Sequence, residues 1–253
     1  RKMAQSKANA IILCACTCFV IAGGSTTGVR NFRPVSSSLP GVYRCAAPEV
    51  ASAADIALFE RLQCVFIDLR NNDEVDMARR KATPEGLQLL GAIADSRSSV
   101  SRVHIPVLAD VDAFFDAVER RLPLQKGFEA FLWKLVDGRR LNEMLYDAVS
   151  QGGNALLNTA MLECNVPAWG RALEAVADGL DEGRAVVLHC AQGKDRTGVL
   201  SALLQSAVGD TEEDIVRSYA LSEELLDRKT TLALTQGDGG DGVDWSNLHG
   251  SPP

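Results

Sequence analysis

The chain carries no excess of positive charge: its formal net charge is −7. General attraction to nucleic acid or to an anionic membrane is therefore not expected, and any anionic ligand must be held by a local cluster of positive groups. A long apolar run is also missing. The N-terminal one, from about residue 8 to 22, is shorter than the roughly 20 residues a membrane-spanning helix needs. Nor is there a cysteine framework. Of seven cysteines, an odd number, Cys14, Cys16 and Cys18 fall in that apolar run, while Cys45, Cys64, Cys164 and Cys190 are scattered without zinc-ligand spacing. His104 and His249 have no sequence partner that would make them ligands.

What remains is ordinary for a globular protein: 46% apolar and 23% charged residues, close to the soluble average. The ends differ in character. Arg1, Lys2 and Lys7 precede the apolar run, and Gly23-Gly24-Ser25 follows it. Residues 1–28 read as a signal or transit peptide, with a buried helix or an anchor as the alternative. The expected compartment is the secretory pathway or an organelle if that segment is a targeting signal, and the cytoplasm otherwise. Residues 235–253 are Gly/Asp-rich and expected to be flexible. The opening Arg-Lys-Met and the closing Ser251-Pro-Pro253 suggest a piece of a longer chain. Residues 29–234 are left as one domain, large enough to bury a core.

Within that domain, strands alternate with helices. Gly41–Ala46 has strand composition, and Ser52 with Asp55 caps a helix that buries Ile56, Phe59 and Leu62. Cys64–Leu69 is a continuous apolar run of strand length, as in a strand covered on both faces. Residues 70–101 are polar and poorly periodic, predicting a loop with at most one short helix. Arg102–Leu108 reads as a strand, with Pro106 favouring an edge. Helical periods cover 111–122 and 128–149, the second with Phe128, Phe131, Leu132, Leu135 and Val136 on one face and a break at Gly138. Asn165 is predicted to cap a helix burying Trp169, Leu173, Val176 and Leu180, and Ala185–His189 is a buried strand. An amphipathic helix ending at Gly209 follows, then a helix opened by a capping box of Asp210 and Glu213. This alternation predicts an α/β fold with a mostly parallel sheet.

The chemistry is concentrated in His189-Cys190-Ala191-Gln192-Gly193-Lys194-Asp195-Arg196-Thr197-Gly198, between the buried strand and the amphipathic helix. Ligands of open α/β sheets bind at the carboxyl ends of strands, and a helix N-terminus offers free N–H groups to an anion. The residues between Cys190 and Arg196 can curl into a cradle of amides, with Gly193 supplying a tight turn or a positive φ. At the start of the cradle the helix dipole, Arg196 and the amides favour the Cys190 thiolate, which can attack phosphorus in line to give a phosphocysteine. Arg196 offers a planar fork to two phosphate oxygens. Thr197 can donate to the departing sulfur, His189 can orient the loop through backbone bonds, and Gly198 can let the helix start lie close to the sheet. The Cys-x5-Arg pair alone is weak; the whole string on a strand–loop–helix frame is specific.

That string resembles the active-site signature of the cysteine-based protein tyrosine phosphatase superfamily. It is most similar to the atypical bacterial, fungal and plant-type branch, which bears His-Cys-x-x-Gly-Lys-Asp-Arg-Thr-Gly. Asn31-Phe32-Arg33 with Gly41–Ala46, Ile67–Arg70, and Asp210–Ser222 resemble further stretches of that branch. Pro34-Val35-Ser36-Ser37 departs from its usual Asp-x-Gly-Gly, and Cys45 stands where serine is common. The resemblance implies a protein tyrosine phosphatase-like fold, a central, mostly parallel sheet of four or five strands flanked by helices. It also implies metal-free, cofactor-free hydrolysis of phosphotyrosine, and in some members of phosphoserine/threonine or phosphoinositides.

A leaving alkoxide or phenolate needs a proton. The stretch about thirty residues before Cys190 offers Asn158 and Glu163 but no aspartate. Asp195 is thus the preferred acid, as the resemblance also implies; otherwise it caps the loop or pairs with a base. Asp68 is next, although Asp68 and Arg70 read as a structural pair. Lys194 either reads a second phosphate or is a solvated lysine. Residues 109–160, with Arg120, Arg121, Lys126, Arg139 and Arg140, form either a substrate-selecting lid or structural helices. The expected partners are phosphorylated proteins or phosphoinositides, not nucleic acid, with membrane contact only through a retained N-terminal segment. The competing classes are a phosphate-binding module without turnover, and a rhodanese-like or arsenate-reducing thiol protein. The latter lacks an obvious resolving cysteine near Cys190.

Overall fold

The structure is a computed structural model, and it describes residues 28–95 and 97–226. The N-terminal apolar run and the Gly/Asp-rich tail lie outside the described residues. Two compact units form: residues up to Val107 with Ala168–Leu226, and Leu108–Pro167.

The first unit holds a five-stranded sheet of order β1-β2-β5-β3-β4, where β1 is Arg33–Pro34, β2 Val42–Cys45, β3 Val65–Asp68, β4 Ser101–His104 and β5 Val186–His189. Only β1 is antiparallel to its neighbour, through Arg33↔Arg44 and Pro34↔Tyr43. The other pairs are parallel, with Cys45 and Asp68 flanking His189. All residues of β2, β3 and β5 are buried, which is why these runs are apolar without alternation. β4 is the edge strand on the parallel side of the sheet, opposite β1, and it ends at His104, before Pro106, whose missing N–H cannot extend the ladder.

One face of the sheet packs Tyr43, Cys45, Phe66 and Val187 against Ile56 and Phe59 of α1 (Ala53–Arg61) and Leu89 of α3 (Pro84–Ala94). Aromatic contacts run Tyr43–Phe32–Phe59–Phe66–His189, reaching the end of β5. The opposite face carries α7 (Val166–Asp181), whose Gly179 comes so close that a Cβ there would lie 2.8 Å from Val186 and 3.6 Å from Val65. Helix α8 (Asp195–Ala207) follows the loop after β5, and α9 (Glu212–Leu225) packs against α8.

The expected loop over 70–101 is instead two helices, α2 (Asn72–Arg80) and α3. Helix α2 buries no residue completely and so leaves no apolar period to read. It is started by a capping box between Asn71 and Glu74, while Thr83 and Pro84 start α3. The capping box expected at Asp210 and Glu213 is displaced by one residue. Thr211 caps α9 by accepting from the Asp214 amide, and Asp210 accepts from Gln205. Helix α7 begins directly after Asn165, and it buries Ala168, Trp169, Ala172 and Val176, with Leu173 and Leu180 only partly covered.

The second unit is helical: α4 (Val111–Glu119), α5 (Leu124–Val136) and α6 (Gly138–Cys164), the last interrupted at Gly153 with φ +58°. Phe115 packs edge-on against Phe114 and Tyr146, and Arg121 pairs with Glu163. Asp137 caps α6 and supplies the break expected at Gly138. Phe128, Phe131, Leu132, Leu135 and Val136 fall in α5, as their helical spacing predicts, and are exposed. No helix among the described residues is long and apolar enough to cross a membrane.

Candidate active site

Three parallel strands end together, and the longest consequence of that register is at β5. His189 lies between Cys45 and Asp68, so Cys190 emerges at the carboxyl edge in the middle of the sheet. Its side chain is on the floor of the site, 2% exposed. The loop then turns at Gly193, whose φ is +67° and where a Cβ would sit 2.1 Å from the Cys45 carbonyl oxygen. No other residue type fits both conditions. Asp195 opens α8, and the first main-chain bond of the helix runs from the Gly198 amide to the Lys194 carbonyl at 2.7 Å. The amides of Gly193, Lys194 and Asp195 have no acceptor among the described residues. Free amides at a helix start are the elementary condition for binding an oxyanion.

Arg196 is held by a residue that the sequence reading missed. Glu74 of α2 accepts from both arms of its guanidinium, at 2.5 and 2.6 Å. The same carboxylate accepts from the Asn71 amide at 2.9 Å, so its position is set by the helix it caps. Burial works against the charge on Arg196, but Glu74 more than offsets this and raises the guanidinium above its ordinary value. Glu74 is in turn held below the usual carboxylate range: burial pushes it up, and Arg196 outweighs that. A bidentate pair fixes the plane of the fork as well as its place. The only sequence trace of Glu74 is its spacing three residues after Asn71.

The outer side of the loop is clamped by Asn31, just before β1, and by β2. Asn31, itself at φ +58°, donates to the carbonyls of Gln192 at 3.2 Å and Gly193 at 2.9 Å. Arg44 donates to the carbonyls of Gly193 at 2.7 Å and Lys194 at 3.1 Å. Arg33 donates to Asn31, to the Ser218 carbonyl and to the Ser222 hydroxyl, the last two at 2.8 Å. Burial, with Arg44 beside it, pushes Arg33 down to about 9. Burial also takes Arg44 to about 10, with Cys190 opposing the shift. Both therefore remain cations at neutral pH.

Helix α9 supports the rest of the loop. Tyr219 donates its hydroxyl to Asp195 Oδ1 at 3.0 Å, and Glu223 pairs with Lys194 at 3.3 Å. Lys194 is thus buried and engaged, not a solvated lysine. A Cβ on Gly198 would meet the Tyr219 ring at 2.5 Å, so the close approach made there is to α9 rather than to the sheet. Thr197 is fully buried, and its hydroxyl has no partner among the described residues. The Gln192 side-chain oxygen is likewise buried without one. His189 packs edge-on against Phe66, and neither ring nitrogen makes a hydrogen bond among the described residues; its main-chain carbonyl accepts from the Leu69 amide at 3.0 Å.

Asp68 and Arg70 form the expected pair, through two contacts of 2.9 and 2.8 Å, and Glu49 adds a third to Arg70 at 2.8 Å. Asp68 is thereby committed to structure. Glu163, in the other unit, pairs with Arg121. Among the described residues no group of His, Cys, Asp or Glu is arranged to hold a metal. A shallow cleft lined by Gln63, Ile93, Ser99 and Arg184 lies at the starts of β3 and β4, the opposite end of the strands from Cys190.

A strand delivering a cysteine to a turn of free amides, closed by an arginine on the first turn of the next helix, can be compared directly with known proteins. The sequence profile of the tyrosine phosphatase family matches residues 26–241. The chain belongs to the tyrosine phosphatase family. Its sheet, with six helices in the same unit among the described residues, is the protein tyrosine phosphatase-like α/β fold. Among curated relatives, the triple specificity protein phosphatase PtpB of Mycobacterium tuberculosis is 46% identical over 56 residues, 22% of this chain and 20% of that one. A tyrosine-protein phosphatase of Nostoc commune is 38% identical over 58 residues, 23% of this chain and 20% of that one. A provisionally named tyrosine-protein phosphatase of Cupriavidus necator is 24% identical over 202 residues, 77% of this chain and 58% of that one. The first two matches thus span about a fifth of the relatives' length.

Proposed function

We propose that the chain is a cysteine-dependent phosphatase that hydrolyses phosphate monoesters through a phosphocysteine intermediate, with phosphotyrosyl protein as its substrate. The observation that carries this is the arrangement of Cys190 at the floor of the loop, free amides at Gly193–Asp195, and Arg196 held in a fixed plane by Glu74. Family membership supports the phosphatase class.

In this reading the amides of the loop from Ala191 to Thr197 and the Arg196 fork hold the three non-bridging oxygens. The Cys190 sulfur attacks phosphorus as the P–O bond to the leaving group breaks. Asp195 gives its proton to the leaving oxygen. Tyr219 donates to Oδ1, which leaves Oδ2 of Asp195 to carry that proton. Water then attacks phosphorus, Asp195 takes a proton from it, and the S–P bond breaks; the unpaired Thr197 hydroxyl is available to the departing thiolate. The engagement of Lys194 by Glu223 favours a substrate with a single phosphate over a multiply phosphorylated inositol ring.

Hydrolysis of a small aryl phosphate without added metal tests the mechanism. The wild-type chain turns over and Cys190→Ser does not; equal turnover by the two proteins would sink the cysteine chemistry. A panel of phosphotyrosyl peptides and phosphoinositides then separates the substrate classes, and preference for the lipid would overturn the protein-substrate reading. Asp195→Asn lowers turnover most for phenyl-type leaving groups, and an unchanged rate removes Asp195 as the acid.

A further inference from the structure

The loop has two sides, and the mechanism uses only the amide side. The carbonyl side is where the chain spends two buried cations. Asn31, Arg33 and Arg44 are 3%, 8% and 1% exposed, and Ser222 of α9, which both arginines reach, is fully buried. Arg33 approaches the Ser222 hydroxyl at 2.8 Å and Arg44 at 3.5 Å. Every hydrogen-bond acceptor of the two guanidinium groups is neutral: main-chain carbonyls, the Asn31 side-chain oxygen and the Ser222 hydroxyl. No ion pair to either arginine occurs among the described residues. The Nε of each is also without a hydrogen-bond partner among the described residues. Asp195 acts on Arg44 from a distance without a hydrogen bond to it and accepts from Tyr219, while Glu223 pairs with Lys194 and Glu74 with Arg196.

We infer that Arg44, backed by Arg33 and Asn31, is a positioning residue of the oxyanion cradle, fastening the carbonyl side of Gln192–Lys194 and supplying positive charge that strengthens anion binding on the amide side. This rests on the cradle proposed above. The peptide group is planar and trans, so its C=O and N–H point in opposite directions. Holding the carbonyls of Gln192, Gly193 and Lys194 outward turns the amides of Gly193, Lys194 and Asp195 inward. Those are the amides that lack acceptors. A buried cation without an ion pair is unfavourable, and an anion arriving in the cradle adds to the partial relief that Cys190 and Asp195 give Arg44. The clamp thus stores in the empty site an electrostatic demand that a phosphate dianion meets. It also gives physical content to the two N-terminal stretches, Asn31–Arg33 and Gly41–Ala46, which the chemistry itself leaves unused.

The charge and the hydrogen bond are separable. Arg44→Lys keeps the cation without the fork, and Arg44→Gln keeps a donor for the carbonyls without the cation. Tungstate binding by calorimetry, with the folding midpoint of each variant recorded in the absence of anion, reads the difference without requiring turnover. Arg44→Gln is expected to bind tungstate about tenfold more weakly, and Arg44→Lys within about threefold of wild type. Equal weakening in both would overturn the charge role, and wild-type affinity in Arg44→Gln would overturn the inference as a whole. Ser222→Ala, a small change that withdraws the shared hydroxyl, gives the same readout should Arg44 variants fail to fold. It is expected to lower tungstate affinity about threefold, raising KM for an aryl phosphate more than it lowers kcat; unchanged affinity counts against the clamp. Failure of the wild-type chain to bind tungstate overturns cradle and clamp together, whereas tungstate binding without hydrolysis removes only the cysteine chemistry.

Discussion

Glu74 shows how much of a site can rest on a residue that touches no substrate. Its carboxylate meets both arms of Arg196 while capping α2, so Glu74→Gln replaces a charged bidentate pair by one neutral acceptor. The expected result is a fall in kcat/KM of about tenfold or more on an aryl phosphate, with a smaller loss of stability. Steady-state kinetics beside a denaturation curve separates the two. Gly193 is constrained more severely. Gly193→Ala meets both a left-handed φ and the Cys45 carbonyl, so it is expected to destabilise the fold by at least about 1–3 kcal/mol and abolish activity. Urea denaturation with parallel activity assays checks it.

At the scale of elements, the chain relies on local signals where packing is thin. Helix α1 is opened by a reciprocal box, Ser52 accepting from the Asp55 amide and Asp55 accepting from the Ser52 amide. Asp55 also accepts from the Gly28 amide at 2.8 Å, which ties the start of the described chain to this helix. Ser52→Ala is expected to cost about 1 kcal/mol, read as a lower denaturation midpoint. Helix α2 is the opposite case: no residue of it is fully buried, and the Glu74–Arg196 pair joins it to α8. Cap spacing could have found α2; hydrophobic period could not, because no face of it enters the core.

For the whole molecule, the buried polar groups at the sheet edge set the response to acid. In Asp68 burial pushes the carboxyl up, and His189 and Arg70 reverse this and hold it well below its ordinary 3.8. Burial lowers His189 from its ordinary 6.5, against the pull of Asp68. A histidine held low contributes nothing above 6.5. Below that value the unfolded chain takes the proton first, and the fold loses stability. A carboxylate held low contributes stability above 3.8 that is lost as pH falls towards its folded value. Stability is therefore expected to decline gently as pH drops below 6.5 and steeply below 3.8. Denaturation midpoints across that range check this. His189→Asn removes the upper part of the decline, and a curve unchanged by it would show that another group titrates there.

The fold class and the family were legible in the chain because they are encoded locally, as was the string that carries the proposed nucleophile and phosphate-binding arginine. Apolar runs of strand length mark β2, β3 and β5, and the string from His189 to Gly198 carries its own turn, helix start and reactive groups. The same locality explains the errors: a polar helix and a cap displaced by one residue both have sequence patterns compatible with two structures. What only the tertiary structure decided is how the loop is held. Glu74 lies 122 residues from Arg196, Asn31 161 residues from Gln192, and Arg44 149 residues from Gly193. Hydrogen bonds at such separations leave no periodicity in the chain, because the parallel order of β2, β5 and β3 is what brings their carboxyl ends to one edge.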